Sequence, residues 1–198
     1  MQDKKRLAVL DIETQKTFSE VGRKLHQLKV SVVGFYYYPE DAYLSFEERE
    51  IPKLEDYLRK TDLLIGFNIK EFDMPVLQPY LLASIETFPV FDILEEIKKV
   101  RGHRVTLQSV ALATLKEAKS GSGLEAVKLY EQKRMEELKK YCLDDVRITK
   151  NVFDYGCKHG KVFFKSDRDF QTYEVPVSWE ENLAAEPKKA DAFPTGLF

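Results

Sequence analysis

The chain contains few of the residues that build disulfide scaffolds or zinc sites. It has 2 cysteines and 3 histidines among 198 residues. Cys142 and Cys157 lack the C-x-x-C spacing of a metal site, and no group of histidines lies near them in the sequence. We therefore expect a reduced, cytoplasmic protein without a zinc centre.

Long apolar runs and an excess of charge are also missing. No segment approaches the roughly 18 consecutive apolar residues of a membrane span, and the first residues lack the pattern of a signal peptide. We expect no membrane partner. The formal net charge is −2, so any surface that attracts nucleic acid must be a local one.

The apolar content is sufficient for a folded domain. Hydrophobic residues make up 43% of the chain, and the length suits one domain with an appendage. We expect a domain over residues 1–160, a hairpin extension over 161–180 and a flexible tail over 181–198.

The order of apolar patterns predicts an α/β domain. Strands are predicted over residues 7–14, 28–38, 42–47, 62–68 and 88–92, and helices over 51–60, 72–80, 93–100, 106–118, 124–130 and 133–155. A hairpin is predicted from 162–165 and 173–177. Three antiparallel strands followed by strands that alternate with helices indicate a mixed five-stranded sheet flanked by helices.

The first predicted strand carries an acidic pair. Side chains alternate along a strand, so Asp11 and Glu13 point to one face while Leu10 and Ile12 point to the other. Two neighbouring carboxylates require either open solvent or a shared cation. Taken alone, Asp-x-Glu is more often a solvated strand end, so a metal role depends on further carboxylates.

Two other segments supply acids at suitable places. Asn68 closes a predicted strand and Asp73 follows in the first turn of a helix, where ligands of α/β sheets commonly bind. Tyr141 and Asp145 are four residues apart on the inward face of the long helix. Asp73 as a simple helix-start acid, and Tyr141 as a core residue, are the plainer alternatives.

These segments resemble the ExoI, ExoII and ExoIII motifs of the DEDD (DnaQ-like) 3′–5′ exonuclease superfamily, in its DEDDy branch. The matching residues are Asp11-Ile12-Glu13-Thr14, Asn68-(x3)-Phe72-Asp73 and Tyr141-(x3)-Asp145. The likeness covers about residues 6–155 and is greatest to proofreading domains of family-B DNA polymerases and to RNase H-like nuclease domains beside helicases. It implies an RNase H-like fold. After Thr14 the chain continues Gln15-Lys16, where many members have Thr-Gly.

The resemblance implies two Mg²⁺ or Mn²⁺ ions as cofactors. It assigns Asp11 to both ions, Glu13 and Asp145 to the ion beside the attacking water, and Asp73 to the second ion through water. Tyr141 is implied to orient the attacking water. Thr14, Asn68 and Phe72 are implied to hold the terminal nucleotide, Phe72 by stacking.

A basic cluster follows the fifth predicted strand. Lys98, Lys99, Arg101 and Arg104 are candidate contacts to the phosphate backbone of a nucleic acid. The same residues could instead close the C-terminus of a helix, where cations interact favourably with the helix dipole. The sequence leaves both readings open.

The resulting expectation is a metal-dependent 3′–5′ exonuclease for single-stranded or frayed 3′ ends, with DNA slightly favoured over RNA. The alternative is a catalytically silent nucleic-acid-binding or adaptor module, which would have no use for four acids beside an anionic ligand. Candidate partners are a helicase, a polymerase or a sliding clamp in DNA repair, and the oligomeric state is left open. The apolar end, residues 192–198, is either a docking peptide or a segment packed on its own domain.

Overall fold

The computed structural model describes residues 5–22, 24–117 and 123–181. Its strands are β1 Leu7–Thr14, β2 Val30–Tyr37, β3 Ala42–Glu47, β4 Leu63–Gly66, β5 Val90–Asp92, β6 Lys161–Lys165 and β7 Thr172–Pro176. Its helices are α1 Phe18–Val21, α2 Ile51–Lys60, α3 Asp73–Leu77, α4 Ile93–Arg101, α5 Leu107–Leu115, α6 Gly123–Glu131 and α7 Met135–His159. Apart from residue 181, the predicted flexible tail lies outside the described residues.

Strands β1 to β5 form one mixed sheet in the order β3-β2-β1-β4-β5. Strand β1 pairs antiparallel with β2 and parallel with β4, while β2–β3 is antiparallel and β4–β5 is parallel. The predicted fold class is therefore confirmed. The acidic strand β1 lies at the centre of this sheet, and all its residues are buried except Leu7 and Asp11, which are partly exposed.

Helices cover both faces of the sheet. Ala8, Leu10 and Ile12 of β1 belong to a core shared with α2 and α3. Val9, on the opposite face, belongs to a second core that includes residues of α4, α7 and the β6–β7 hairpin. Alternation along β1 thus assigns its acids to the face that α7 covers.

Several element ends differ from the sequence prediction for local reasons. Strand β4 stops at Gly66, before the predicted end at 68, because Asn68 adopts a left-handed backbone conformation with φ 67°. The predicted helix over 72–80 is α3 followed by a 3-10 turn at Gln78–Tyr80. Helix α7 runs on to His159 and ends at Gly160, whose φ is 64°.

The C-terminal hairpin packs against the same body. The Thr114 hydroxyl donates to the Phe163 carbonyl at 2.9 Å and accepts the Phe163 N–H at 2.9 Å. Trp179, only 1% exposed, stacks on Phe153 and lies directly against Gly156, where an added Cβ would come within 2.2 Å of the indole. A boundary at residue 160 between domain and extension stays a prediction.

No helix within the described ranges combines the length and apolar character needed to cross a bilayer.

Candidate functional site

Three carboxylates converge where α7 crosses the end of β1. Oxygens of Asp11, Glu13 and Asp145 all lie within 4.8 Å of one another. Asp145 is 1% exposed and Glu13 is also buried, while Asp11 is half-buried. Negative groups at this spacing repel each other strongly in a desolvated place, so the arrangement is suited to a cation.

Asp73 lines the same cavity from the other side of β1. Strand β4 pairs with β1 only as far as Val9, so the next N–H groups on that edge lack a strand partner. The Asp73 carboxylate accepts one of them, from Ile12, at 3.1 Å. Asp73 is therefore held by the backbone between the two acids of β1. The cavity has a volume of about 400 Å³.

A close approach at Gly34 sets the position of α7. Gly34 of β2 lies opposite Asp11 in the sheet register. A Cβ at this position would come within 2.8 Å of Val146 Cγ2 and 2.9 Å of Cys142 Sγ. Because residue 34 has no side chain, α7 can lie directly on the sheet and bring Asp145 to the β1 acids. A glycine inside a strand pattern was the sequence signal for this contact.

Cys142 fills the space between helix and sheet. Its thiol donates to the Asp11 carbonyl at 3.5 Å. Burial raises the pKa of this thiol well above its usual value, and the charges of Asp11, Glu13 and Asp145 raise it further. The group is therefore a neutral thiol and a packing element beside the acids.

The loop from β4 to α3 is organised by Asp92, which the sequence analysis missed. Its buried carboxylate accepts N–H groups of Asn68 at 2.9 Å and Lys70 at 3.1 Å, and caps α4 by accepting those of Leu94 at 3.0 Å and Glu95 at 3.2 Å. One carboxylate thus fixes both the left-handed turn at Asn68 and the start of α4. An Asp directly before a helical pattern was the available signal.

Phe72 and Thr14 line the carboxylate cavity, as does Phe18 of α1. The rings of Phe18 and Phe72 lie 5.8 Å apart at an angle of 55°, and Phe18 is 52% exposed. Sequence reasoning did not select Phe18, because an isolated Phe in a polar segment carries no pattern. The two rings form an apolar wall beside the acids.

Tyr141 lies one helical turn before Asp145 but does not line the carboxylate cavity. Its ring belongs to a buried cluster with Val32, Leu129 and Leu138. It contributes to the floor of a groove between α6 and α7. The structure thus places Tyr141 adjacent to the acids, with its ring packed towards α6.

The basic cluster is divided among several environments, and none of its four members lines the carboxylate cavity. The Arg101 guanidinium lies over the Phe164 and Tyr173 rings, 5.3 and 4.8 Å from their centroids. Lys99 contacts Glu96 within α4. Arg104 donates to the Asn68 side chain at 2.6 Å and lines a separate pocket with Lys98. Their phosphate contacts stay predictions.

Comparisons with known proteins agree with this architecture. The family model RNase_H_2, described as RNase_H superfamily, matches residues 8–156, and the chain belongs to that superfamily. A family B DNA polymerase from the hyperthermophilic archaeon Pyrobaculum calidifontis has a similar fold, with a TM-score of 0.61 and 17% identity. The match covers 77% of this chain and 24% of the polymerase. No curated protein sequence matches the chain significantly.

We expect Gly34→Ala to separate α7 from β1. Relieving the overlap with Val146 and Cys142 requires a backbone shift, which destabilises the fold by about 1–3 kcal/mol. The same shift moves Asp145 away from Asp11, so Mn²⁺ affinity measured by titration calorimetry should fall. Gly123→Ala is the control, since an added Cβ there meets no atom within 4 Å. Unchanged Mn²⁺ affinity in Gly34→Ala would contradict this account.

We expect Asp92→Ala to loosen the β4–α3 loop, because the N–H groups of Asn68, Lys70, Leu94 and Glu95 lose their acceptor. A loss of about 2–3 kcal/mol follows from the cap and the buried donors. Asp92→Asn keeps one acceptor oxygen and should lose less. Hydrogen exchange by mass spectrometry should show faster exchange in peptides covering 67–72, while β2 is unaffected. Slow exchange throughout that loop would refute the role given to Asp92.

Proposed function

We propose that the chain is a metal-dependent 3′–5′ exonuclease that hydrolyses phosphodiester bonds at the 3′ ends of single-stranded or frayed nucleic acid, with DNA slightly favoured. The observation that carries the proposal is the convergence of Asp11, Glu13 and Asp145 within 4.8 Å, with Asp73 lining the same cavity. Membership of the RNase H superfamily supports it. We infer the 3′–5′ direction of cleavage from the resemblance to the DEDDy motifs.

The donor set fits hard divalent cations. All four acids offer oxygen atoms, which Mg²⁺ and Mn²⁺ prefer, and the neighbouring Cys142 is kept as a thiol by its raised pKa. Asp11, Glu13 and Asp145 would hold the ions together with Asp73. When bound, two such ions neutralise charge on the phosphate, lower the pKa of the attacking water and stabilise the leaving oxygen.

The protein's own residues position the substrate around these acids. Asp73 is oriented by the Ile12 N–H at 3.1 Å. Phe72 offers a ring face for the terminal base, beside Phe18. Asn68 lines the pocket of Lys98 and Arg104 and not the carboxylate cavity; it would contact the terminal nucleotide from there, with its side-chain oxygen held by Arg104 at 2.6 Å. These contacts fix the reacting phosphate relative to the acids, which lowers the entropic part of the barrier.

We propose that Tyr141, which lies one helical turn before Asp145, orients the attacking water. A phenol is a poor base at neutral pH, so its contribution is alignment rather than proton removal. Tyr141 and Asp145 lie on adjacent turns of α7, and Asp145 is clustered with Glu13.

Replacing Asp11 or Asp145 by Ala should abolish hydrolysis of a labelled oligonucleotide in Mn²⁺, because each change removes a metal ligand. The fold should persist, since loss of one charge relieves carboxylate repulsion; in EDTA the melting temperature should be no lower than that of the wild type. Label at the 3′ end should be released as mononucleotide first. Asp56→Ala, an exposed acid on α2, is the control.

Full activity in either variant would remove the metal assignment. Absence of activity in the wild type on both DNA and RNA would leave the silent binding module instead.

For Tyr141→Phe we expect turnover to fall by about one to three powers of ten, a few kcal/mol of transition-state stabilisation. Mn²⁺ affinity should be retained, because the phenol is not among the metal ligands, and the ring still packs against Val32 and Leu138. Single-turnover kinetics at saturating enzyme measure the chemical step. A wild-type rate in this variant would make Tyr141 a packing residue only.

A further inference from the structure

A groove between α6 and α7 leads directly away from the candidate active site. The α6–α7 groove has a volume of about 690 Å³. One wall consists of Leu124 and Lys128 on α6 with Gln132 just beyond its end, and the other is the face of α7 that carries Lys140 and Asp144. These residues recur every three or four positions along each helix, so the groove runs along the helices.

The groove and the carboxylate cavity adjoin at Leu124. Leu124 lines both, and it is 64% exposed. Tyr141, on the groove floor, is one turn from Asp145 in the cavity. A polynucleotide whose 3′ end lay among the acids would therefore pass Leu124 to enter the groove.

The cations of the groove differ in their availability. Arg134 donates to both carboxylate oxygens of Glu137, at 2.7 and 2.6 Å, and this contact raises its pKa. Lys128 and Lys140 are exposed, and neither forms an ion pair with any residue that the structure describes. Two ammonium groups thus remain for an external anion.

The acids of the groove are mostly neutralised. Glu137 is engaged by Arg134, and Asp144 lies 3.6 Å from the Arg147 guanidinium. Glu125 has no ion pair among the described residues, so it is the acid that opposes an anionic ligand. The local balance at the open part of the groove is two available cations against one acid.

The positions of the two lysines suit a nucleic-acid strand that leaves the candidate active site through the groove. Lys128 lies one turn beyond Leu124, about 6 Å along α6, and Lys140 lies about 7.5 Å along α7 from Asp145. They therefore lie on opposite walls at a similar distance from the cavity. A phosphate between them would be contacted from both sides, and the exposed Leu124 would contact a base or sugar at the entrance.

We propose that the α6–α7 groove binds the single-stranded polynucleotide upstream of the scissile bond, with Lys128 and Lys140 contacting its phosphates and Leu124 its first base. This inference rests on the proposed function, since it takes the carboxylate cavity as the place of the 3′ end. It names a substrate-binding surface separate from the acids and from the basic cluster after β5.

The test compares a 15-nucleotide single strand with a dinucleotide, whose single internucleotide phosphate is the scissile one and leaves none for the lysines. In the double variant Lys128→Ala/Lys140→Ala, kcat/KM for the 15-mer divided by kcat/KM for the dinucleotide should be about tenfold lower than in the wild type. Log(1/KM) for the 15-mer against log[salt] should also become less steep by about 1.4, since each phosphate contact on single strands contributes about 0.7. Glu125→Gln should raise the ratio.

Lys158→Ala is the matched control. Lys158 is exposed on the same helix, but about 27 Å beyond Lys140 by helical rise, and its loss should leave the ratio unchanged. An unchanged ratio in the double variant, or an equal fall in Lys158→Ala, would overturn the groove assignment. An unchanged ratio is also the result expected if a protein occupies the groove, whereas an equal fall in Lys158→Ala indicates a general effect of charge.

Binding without turnover separates this inference from the proposed function. The affinity of a fluorescent 15-mer, measured by anisotropy in Ca²⁺, should fall in the double variant and not in Lys158→Ala. A wild type that hydrolyses neither substrate refutes the exonuclease, while the anisotropy series still decides the groove. Equal affinity of the wild type and the double variant refutes the groove, even where hydrolysis of the dinucleotide supports the exonuclease.

Discussion

The candidate active site depends on how closely α7 lies against the sheet. Asp11 and Glu13 are fixed by β1, but Asp145 reaches them only because Gly34 leaves room for Cys142 and Val146 on the strand next to β1. Packing at this density transmits any displacement of the helix directly to its side chains. Gly34 therefore influences the geometry of the carboxylate cluster without belonging to it, because it sets the position of α7.

A second constraint comes from the end of β4. The sheet pairing of β1 stops at Val9 on that side, which leaves Ile12 N–H for Asp73, and Asp92 then holds the loop that connects Asn68 to α3. Buried carboxylates are stable when backbone N–H groups satisfy them. The Asp92 carboxylate stabilises the loop by accepting its N–H groups. Asp11, Glu13 and Asp145 instead bring three negative charges together. The contrast separates a structural acid from candidate metal ligands.

The distribution of cations is consistent with a site that handles an anionic polymer in a protein of nearly neutral charge. Arg101 is engaged with the aromatic rings of the hairpin, and Arg104 with Asn68 and Glu71. Lys128 and Lys140 flank an open groove that meets the carboxylate cavity at Leu124. A small number of available cations beside the cavity is sufficient to attract an anion locally, because screening limits the range of each charge to roughly 10 Å.

The sequence by itself determined the features that depend on local periodicity. Alternation along residues 7–14 placed Asp11 and Glu13 on one face, the four-residue spacing placed Tyr141 a turn from Asp145, and the order of patterns gave the mixed sheet. Only the tertiary structure decided that Gly34 admits α7, that Asp92 organises the Asn68 loop and that Arg101 packs on the hairpin. Those contacts join residues far apart in the chain, and their partners are set by strand register and helix packing, which no local spacing encodes.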